Sequence, residues 1–137
     1  AGATQIEFDA EHLRRVLVNL LDNALRYMGL EPDSLSIITR ATVTGQVSLQ
    51  VWSDGAPMDK SVERHLFEPF FSSESRSSGL GLYICRELCQ RHGASISYQR
   101  RHHTTLRGET GGNAFTVNFR RTVRPADSAT LFDTPVV

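Results

Sequence analysis

Leu13, Val16, Leu17, Leu20, Leu21, Ala24 and Leu25 recur every three or four residues. That spacing predicts one amphipathic helix from about Asp9 to Met28. Asp9 is the expected N-cap, Asp9 and Glu11 put acid in the first turn, and Gly29 is the expected stop. A helix with a single apolar face needs a second layer to cover it, so the rest of the chain must supply that layer. The helix also carries a polar edge. Asn19 and Asn23 stand four apart and stack along one side, and Arg26 and Tyr27 continue that side one turn later. Carboxamide oxygens suit Mg²⁺, which favours hard oxygen ligands, and an arginine beside them can pair with phosphate oxygens. The edge therefore fits a magnesium–polyphosphate site along the helix flank.

A second stretch points to the same chemistry. Ser77-Ser78-Gly79-Leu80-Gly81-Leu82-Tyr83-Ile84 is a small-residue loop leading into an apolar-periodic helix that should end at Gly93. Gly79 and Gly81 let backbone approach a ligand closely, and the first amides of a helix have no internal partner, which favours a bound anion. Leu80 and Leu82 supply amides and packing.

Between these helices the pattern is that of strands. Leu35–Val43 is rich in β-branched residues, Thr44-Gly45-Gln46 turns the chain, and Val47, Leu49 and Val51 alternate with polar residues, so this is a hairpin. Gln5–Phe8 reads as a short strand, Asp59–Leu66 as a short helix, Ala94–Arg100 and Ala114–Phe119 as strands, and Arg101–Gly112 as a loop. Phe70–Ser78 reads as a mobile segment over a site. The order β-α-β-β-α-loop-α-β-β implies an α+β, two-layer sandwich. Its sheet is expected to be mixed but mostly antiparallel, with the helices on one face.

The 137 residues suit one domain, placed at 1–121, with a disordered tail at 122–137. Balanced charge, 15 basic against 15 acidic residues, gives no footprint for nucleic acid or a membrane surface. No apolar run approaches the ~20 residues that span a bilayer, and the start lacks a leader pattern and a Met, as expected of a domain cut from a longer protein. Cys85 and Cys89 are expected to pack as small apolar groups, and two unpaired thiols fit a cytoplasmic compartment.

Four segments occur in order: the Asn19–Asn23 helix, Ser53-Asp54-Gly55, Phe67-Glu68-Pro69-Phe70-Phe71 and Gly79-Leu80-Gly81-Leu82. They resemble the N, G1, F and G2 boxes of the ATP-binding catalytic domain of bacterial sensor histidine kinases. This is the Bergerat fold, shared with gyrase, Hsp90 and MutL. The wording from Phe67 to Ile84 is most similar to kinases of the PilS and NtrB kind. The resemblance spans about residues 4–120. It implies an ATP lid and assigns roles to single residues: Asn23 as the Mg²⁺ ligand, with Asn19 beside it, and Arg26 at a phosphate. Tyr27 would lie against ribose or adenine, Arg76 would reach the γ-phosphate from the lid, and Gly79, Leu80, Gly81 and Leu82 would form the phosphate loop. Phe67, Phe70 and Phe71 would anchor the lid.

The G1 segment departs from the family pattern Asp-x-Gly-x-Gly. Ser53 replaces the aspartate that accepts from the adenine amino group, and Pro57 replaces the second glycine. Ser53 can still accept, with Gly55 next to it. Asp54 would substitute only if the strand end shifted by one residue, which turns a side chain to the other face. Asn113 stands where relatives place a residue near the base.

The resemblance implies transfer of the γ-phosphoryl of Mg–ATP to a histidine on a separate helical dimerisation domain. None of His12, His65, His92, His102 and His103 has a phosphoacceptor context. His12 is expected to be structural, and His102-His103 a solvated loop pair. The implied partners are nucleotide, that helical domain of the same parent and a downstream response regulator. The parent would be anchored in the bacterial inner membrane. Two rival readings stand beside it. One is a degenerate module that acts by docking, motivated by Ser53 and Pro57. The other is a hydrolytic ATPase, against which Asn19 speaks: a glutamate would activate water there, and a carboxamide has no usable proton affinity.

Overall fold

The computed structural model describes residues 5–71 and 79–120. Helix α1 runs Ala10–Tyr27, strands β1 and β2 run Leu35–Ala41 and Val47–Asp54, and the short α2 runs Lys60–Arg64. Helix α3 runs Gly81–Arg91, followed by β3, Ser95–Thr105, and β4, Gly108–Asn118.

Helix α1 starts as its sequence predicts: Asp9 is extended and its carboxylate accepts from the His12 amide at 3.0 Å. Its end has a different cause from the one expected. Met28 turns extended at ψ 162°, and the Gly29 N–H leaves the helix axis to donate to Asp54 at 2.8 Å. Helix α3 ends in the left-handed manner: Gly93 has φ +72°, and Gly93 and Ala94 donate back to Gln90 and Cys89.

The described strands form one sheet in the order β1-β2-β4-β3, with every neighbouring pair antiparallel. The sheet is therefore not mixed among the described residues, because Gln5–Phe8 joins no ladder. That segment is held by side chains instead: Phe8 packs on the rings of His92 and Phe119, and Glu7 pairs with Arg120.

Both long helices lie on one face, with α1 against β2 and α3, and α3 against β3. Their apolar stripes meet alternate sheet residues. Val16, Leu20 and Ala24 of α1 and Cys85 and Cys89 of α3 are buried against Val51, Phe115 and Val117. A fully buried Leu20 or Val16 contributes roughly 1.5–3 kcal/mol. Burial also pushes the thiol of Cys85 up to about 12 and that of Cys89 up to about 11, so both behave as inert packing groups. Leu25, expected on the apolar face, is 57% exposed.

The segment expected to be a loop, Arg101–Gly112, is instead the outer half of a β3–β4 ribbon. Leu106 and Arg107 turn it and Gly108 at φ +92° completes the turn. Its cross-strand side-chain bonds are polar, Thr104 to the opposite Glu109 and Thr105 diagonally to Thr110, so no apolar alternation announces it. The ribbon curls over Trp52 on the sheet face away from the helices. His103 stacks on the indole at 4.5 Å, and Nε1 donates to the Arg101 carbonyl at 3.0 Å. Trp52 is fully buried there, and His103 belongs to a strand rather than a solvated loop. Its imidazole is held below its usual pKa by burial, then by Arg101 and Arg40.

Candidate functional site

The polar edge of α1 faces the start of α3 across a cleft of about 710 Å³. From α1 come Arg15, Asn19, Asp22, Asn23, Arg26 and Tyr27, and from the α3 start come Gly79, Leu80, Gly81 and Leu82. The two helices are joined at the cleft itself. Asn19 Nδ2 donates to the Gly81 carbonyl at 3.2 Å, a bond that a carboxylate could not make. Two stretches more than fifty residues apart thus share one wall.

The glycines do different work. Gly79 has φ +76°, and a Cβ there would stand 2.5 Å from the Phe70 carbonyl carbon. The Phe70 amide also donates to the Gly79 carbonyl at 2.9 Å, so Phe70 and Gly79 are held against each other. Gly81 has open space where a Cβ would point, so the backbone of the first α3 turn is bare toward the cleft. Leu80 at the N-cap position has no polar side chain with which to cap the helix. An anion arriving there meets helix-start amides, with Arg15 and Arg26 on the facing helix.

The other end of the cleft is made by Ala56, Pro57, Met58, Asp59 and Asn113. Asn113 is buried and fully oriented. Its Oδ1 accepts from Tyr98 Oη at 2.5 Å and from Arg100 at 3.3 Å, and its Nδ2 donates to the Ala56 carbonyl at 3.1 Å.

The histidine kinase-, DNA gyrase B- and HSP90-like ATPase family matches residues 8–123. The chain belongs to that family. The sensor protein kinase PilS of Pseudomonas aeruginosa is 36% identical over 122 residues, covering 87% of this chain and 22% of PilS. The sensor protein KdpD of Escherichia coli is 32% identical over 127 residues, covering 89% of this chain and 13% of KdpD. The nucleotide-free catalytic domain of the histidine kinase ThkA matches with a TM-score of 0.69 at 30% identity, covering 85% of this chain and 71% of that one. The fold is that of a histidine kinase catalytic domain, and the chain is a kinase-type ATP-binding domain. It spans less than a quarter of the length of PilS or KdpD.

Most of the residues expected from the sequence to meet a ligand line the cleft: Asn19, Asn23, Arg26, Tyr27, Gly79, Leu80, Gly81 and Leu82. Ser53 and Gly55, expected at the ligand, are not among the lining residues. Ser53 is buried in β2 opposite Asn113, and Gly55, at φ +146°, sits where a Cβ would be 3.0 Å from the Tyr27 carbonyl oxygen. Asp54 does not take over the role of the missing aspartate. Its carboxylate accepts from Gly29 N, Ser34 Oγ and Arg107, each at 2.8 Å. Burial works to raise its pKa, but those three donors outweigh burial and hold it below its ordinary value.

Of the residues expected to anchor a lid, Phe67 packs edge-on against Phe115 and Phe71 lines the cleft, whereas the Phe70 residue is 77% exposed at φ +63°. Arg76 lies outside the described residues, as does the tail at 122–137. Arg15 and Asp22 line the cleft and were missed from sequence. Arg15 is four before Asn19, so the spacing that linked Asn19 to Asn23 would have found it. His12 is structural: its ring bonds that of His92 at 2.8 Å, tying the start of α1 to the end of α3.

Proposed function

We propose that the cleft binds Mg–ATP, with the triphosphate between the α1 edge and the first turn of α3 and the base toward Pro57, Met58 and Asn113. The observation that carries this is the Asn19–Gly81 bond, which makes the carboxamide edge and the bare helix start one surface. The lining suits magnesium, since Asn19, Asn23 and Asp22 offer carboxamide and carboxylate oxygens. Asn23, with Asn19 beside it, would hold the ion, which neutralises charge on the phosphates when bound. Arg26 and Arg15 add positive charge, and the α3 amides orient the phosphate oxygens. Phosphoryl transfer asks mainly for positioning and charge neutralisation, which these groups supply.

In a longer protein the acceptor would be a histidine on a helical dimerisation domain, with a response regulator downstream and an anchor in the bacterial inner membrane. PilS and KdpD are sensor proteins, which supports this. Among the described residues no helix is long and apolar enough to cross a membrane. Asn19 argues for transfer over hydrolysis, because a carboxamide committed to Gly81 is neither a base nor free to swing toward water. Isothermal titration tests the reading: Mg²⁺-dependent binding of ATP or ADP is expected, and no binding at millimolar nucleotide would end it.

The second reading, a non-catalytic docking module, draws on the base end, where Ser53 is buried and the Asp54 carboxylate is already engaged. Titration of Ser53→Asp separates the two. A large gain over a barely binding parent favours the docking module, and little change favours a working site.

A further inference from the structure

Residues 54–56 lead from the end of β2 to the base end of the cleft, where Ala56 lines it, and the β3–β4 ribbon holds this rim from behind. Arg107, at its turn, donates to Asp54 Oδ2 at 2.8 Å and to Asp33 Oδ1 at 3.1 Å. Arg100, on β3, donates to the Gly55 carbonyl at 2.6 Å. Asn113, on β4, takes the Ala56 carbonyl. Three consecutive residues of the rim are thus each gripped by a different side chain of one ribbon.

These are not scattered surface ion pairs. The Asp54 side chain is 8% exposed, and it also grips Gly29 N and Ser34 Oγ, so one carboxylate joins the end of α1, the α1–β1 loop, the end of β2 and the ribbon turn. Asp33 adds a second hold on the turn by accepting from Leu106 N at 2.6 Å. The outer ribbon needs such holds. Pairing of β4 with β2 stops at Asp54–Gly112, and residues 108–111 pair only with β3. A two-stranded ribbon is marginal by itself in water. Gly55 in turn seats against the Tyr27 carbonyl, so a rim displaced outward would also lose its contact with the last residue of α1.

We propose that Arg107 and Arg100 are positioning residues of the nucleotide site: they fix the 54–56 backbone, and with it the base end of the cleft, while the phosphate end stands on α1 and α3 alone. This rests on the nucleotide reading above. The ribbon is a distant brace for one half of the ligand.

The test uses this chain and its Arg107→Gln, Arg107→Lys and Arg100→Gln variants, well below their unfolding temperatures. Two ligands are titrated with Mg²⁺: ATP, which needs both ends of the cleft, and inorganic tripolyphosphate, which needs only one. Arg107→Gln is expected to raise the Kd for ATP about tenfold and that for tripolyphosphate less than twofold. Arg107→Lys should recover part of the loss, and Arg100→Gln should act in the same direction. Amide exchange without ligand should quicken at 29–34 and 54–58. Equal loss of both ligands, or unchanged exchange at 54–58, would overturn the proposal. Exchange decides the brace independently of nucleotide. A parent chain that binds no Mg–ATP, with exchange still quickened in the variant, would instead refute the nucleotide reading while supporting the brace.

Discussion

The α1–α3 rim of the cleft carries its polar groups on the outside of helices, with Arg15, Asp22 and Arg26 exposed and Asn23 half-buried. The β2 rim carries groups of the same kinds, and they are already bonded to one another: Asp54 with Gly29, Ser34 and Arg107, and Asn113 with Tyr98, Arg100 and Ala56. One cleft thus divides its work between two walls. Charges left at the surface remain available to a charged ligand and contribute little to folding. Charges tied together below the surface set the shape of the wall and contribute to stability. Substitutions on the first rim should therefore change affinity and leave stability alone, and substitutions on the second should change stability and, through the shape of the wall, the binding of the base end of the ligand alone.

The largest effect is expected on the second rim. Asp54→Ala removes the acceptor for three donors, including a buried hydroxyl and a backbone amide, and should cost about 3 kcal/mol in urea unfolding. A loss under about 1 kcal/mol would show that the network is ornamental. Asn23→Ala, on the first rim, should weaken Mg–ATP binding about a hundredfold, or ~2.7 kcal/mol, with an unchanged melting temperature. Parallel loss of stability would break the contrast. Gly112→Ala should destabilise by about 2 kcal/mol, because a Cβ would come within 2.4 Å of the Trp52 indole and 2.5 Å of the Ser53 carbonyl. Its effect on tripolyphosphate binding should be negligible.

The smallest effect is a pH dependence. The Asp54 carboxyl is held below its ordinary value, 3.8, in the folded protein. Its contribution is therefore complete above that value and is lost as pH falls further, through the folded pKa. Acid unfolding of Asp54→Asn should be less steep below about pH 4 than that of the parent. Identical acid limbs would remove Asp54 from the account.

Sequence legibility followed the same division. The α1 edge and the Gly79–Leu82 turn were readable because helical spacing places residues on a face without knowledge of the rest of the fold. The hairpin β1–β2 was readable because Val47, Leu49 and Val51 alternate with polar residues and Gly45, at φ +92°, marks its turn. The outer half of β3–β4 was not. It turns through Leu106 and Arg107, and its pairs are threonines and charges whose partners lie across a strand rather than along it. Gln5–Phe8 misled in the opposite sense, since alternation alone cannot say whether a sheet edge is there to receive it.

That an apolar helix face must be covered by a second layer, and that carboxamides and an arginine share one helix edge, follows from the residues alone. Those properties are local and follow from the period of a helix. The burial of Ser53 and Asp54 and the reach of Arg100 and Arg107 to residues 54 and 55 arise instead from how distant strands pack. Which partner a buried polar group finds depends on the register and curl of strands distant in sequence, and desolvation makes that choice energetically decisive.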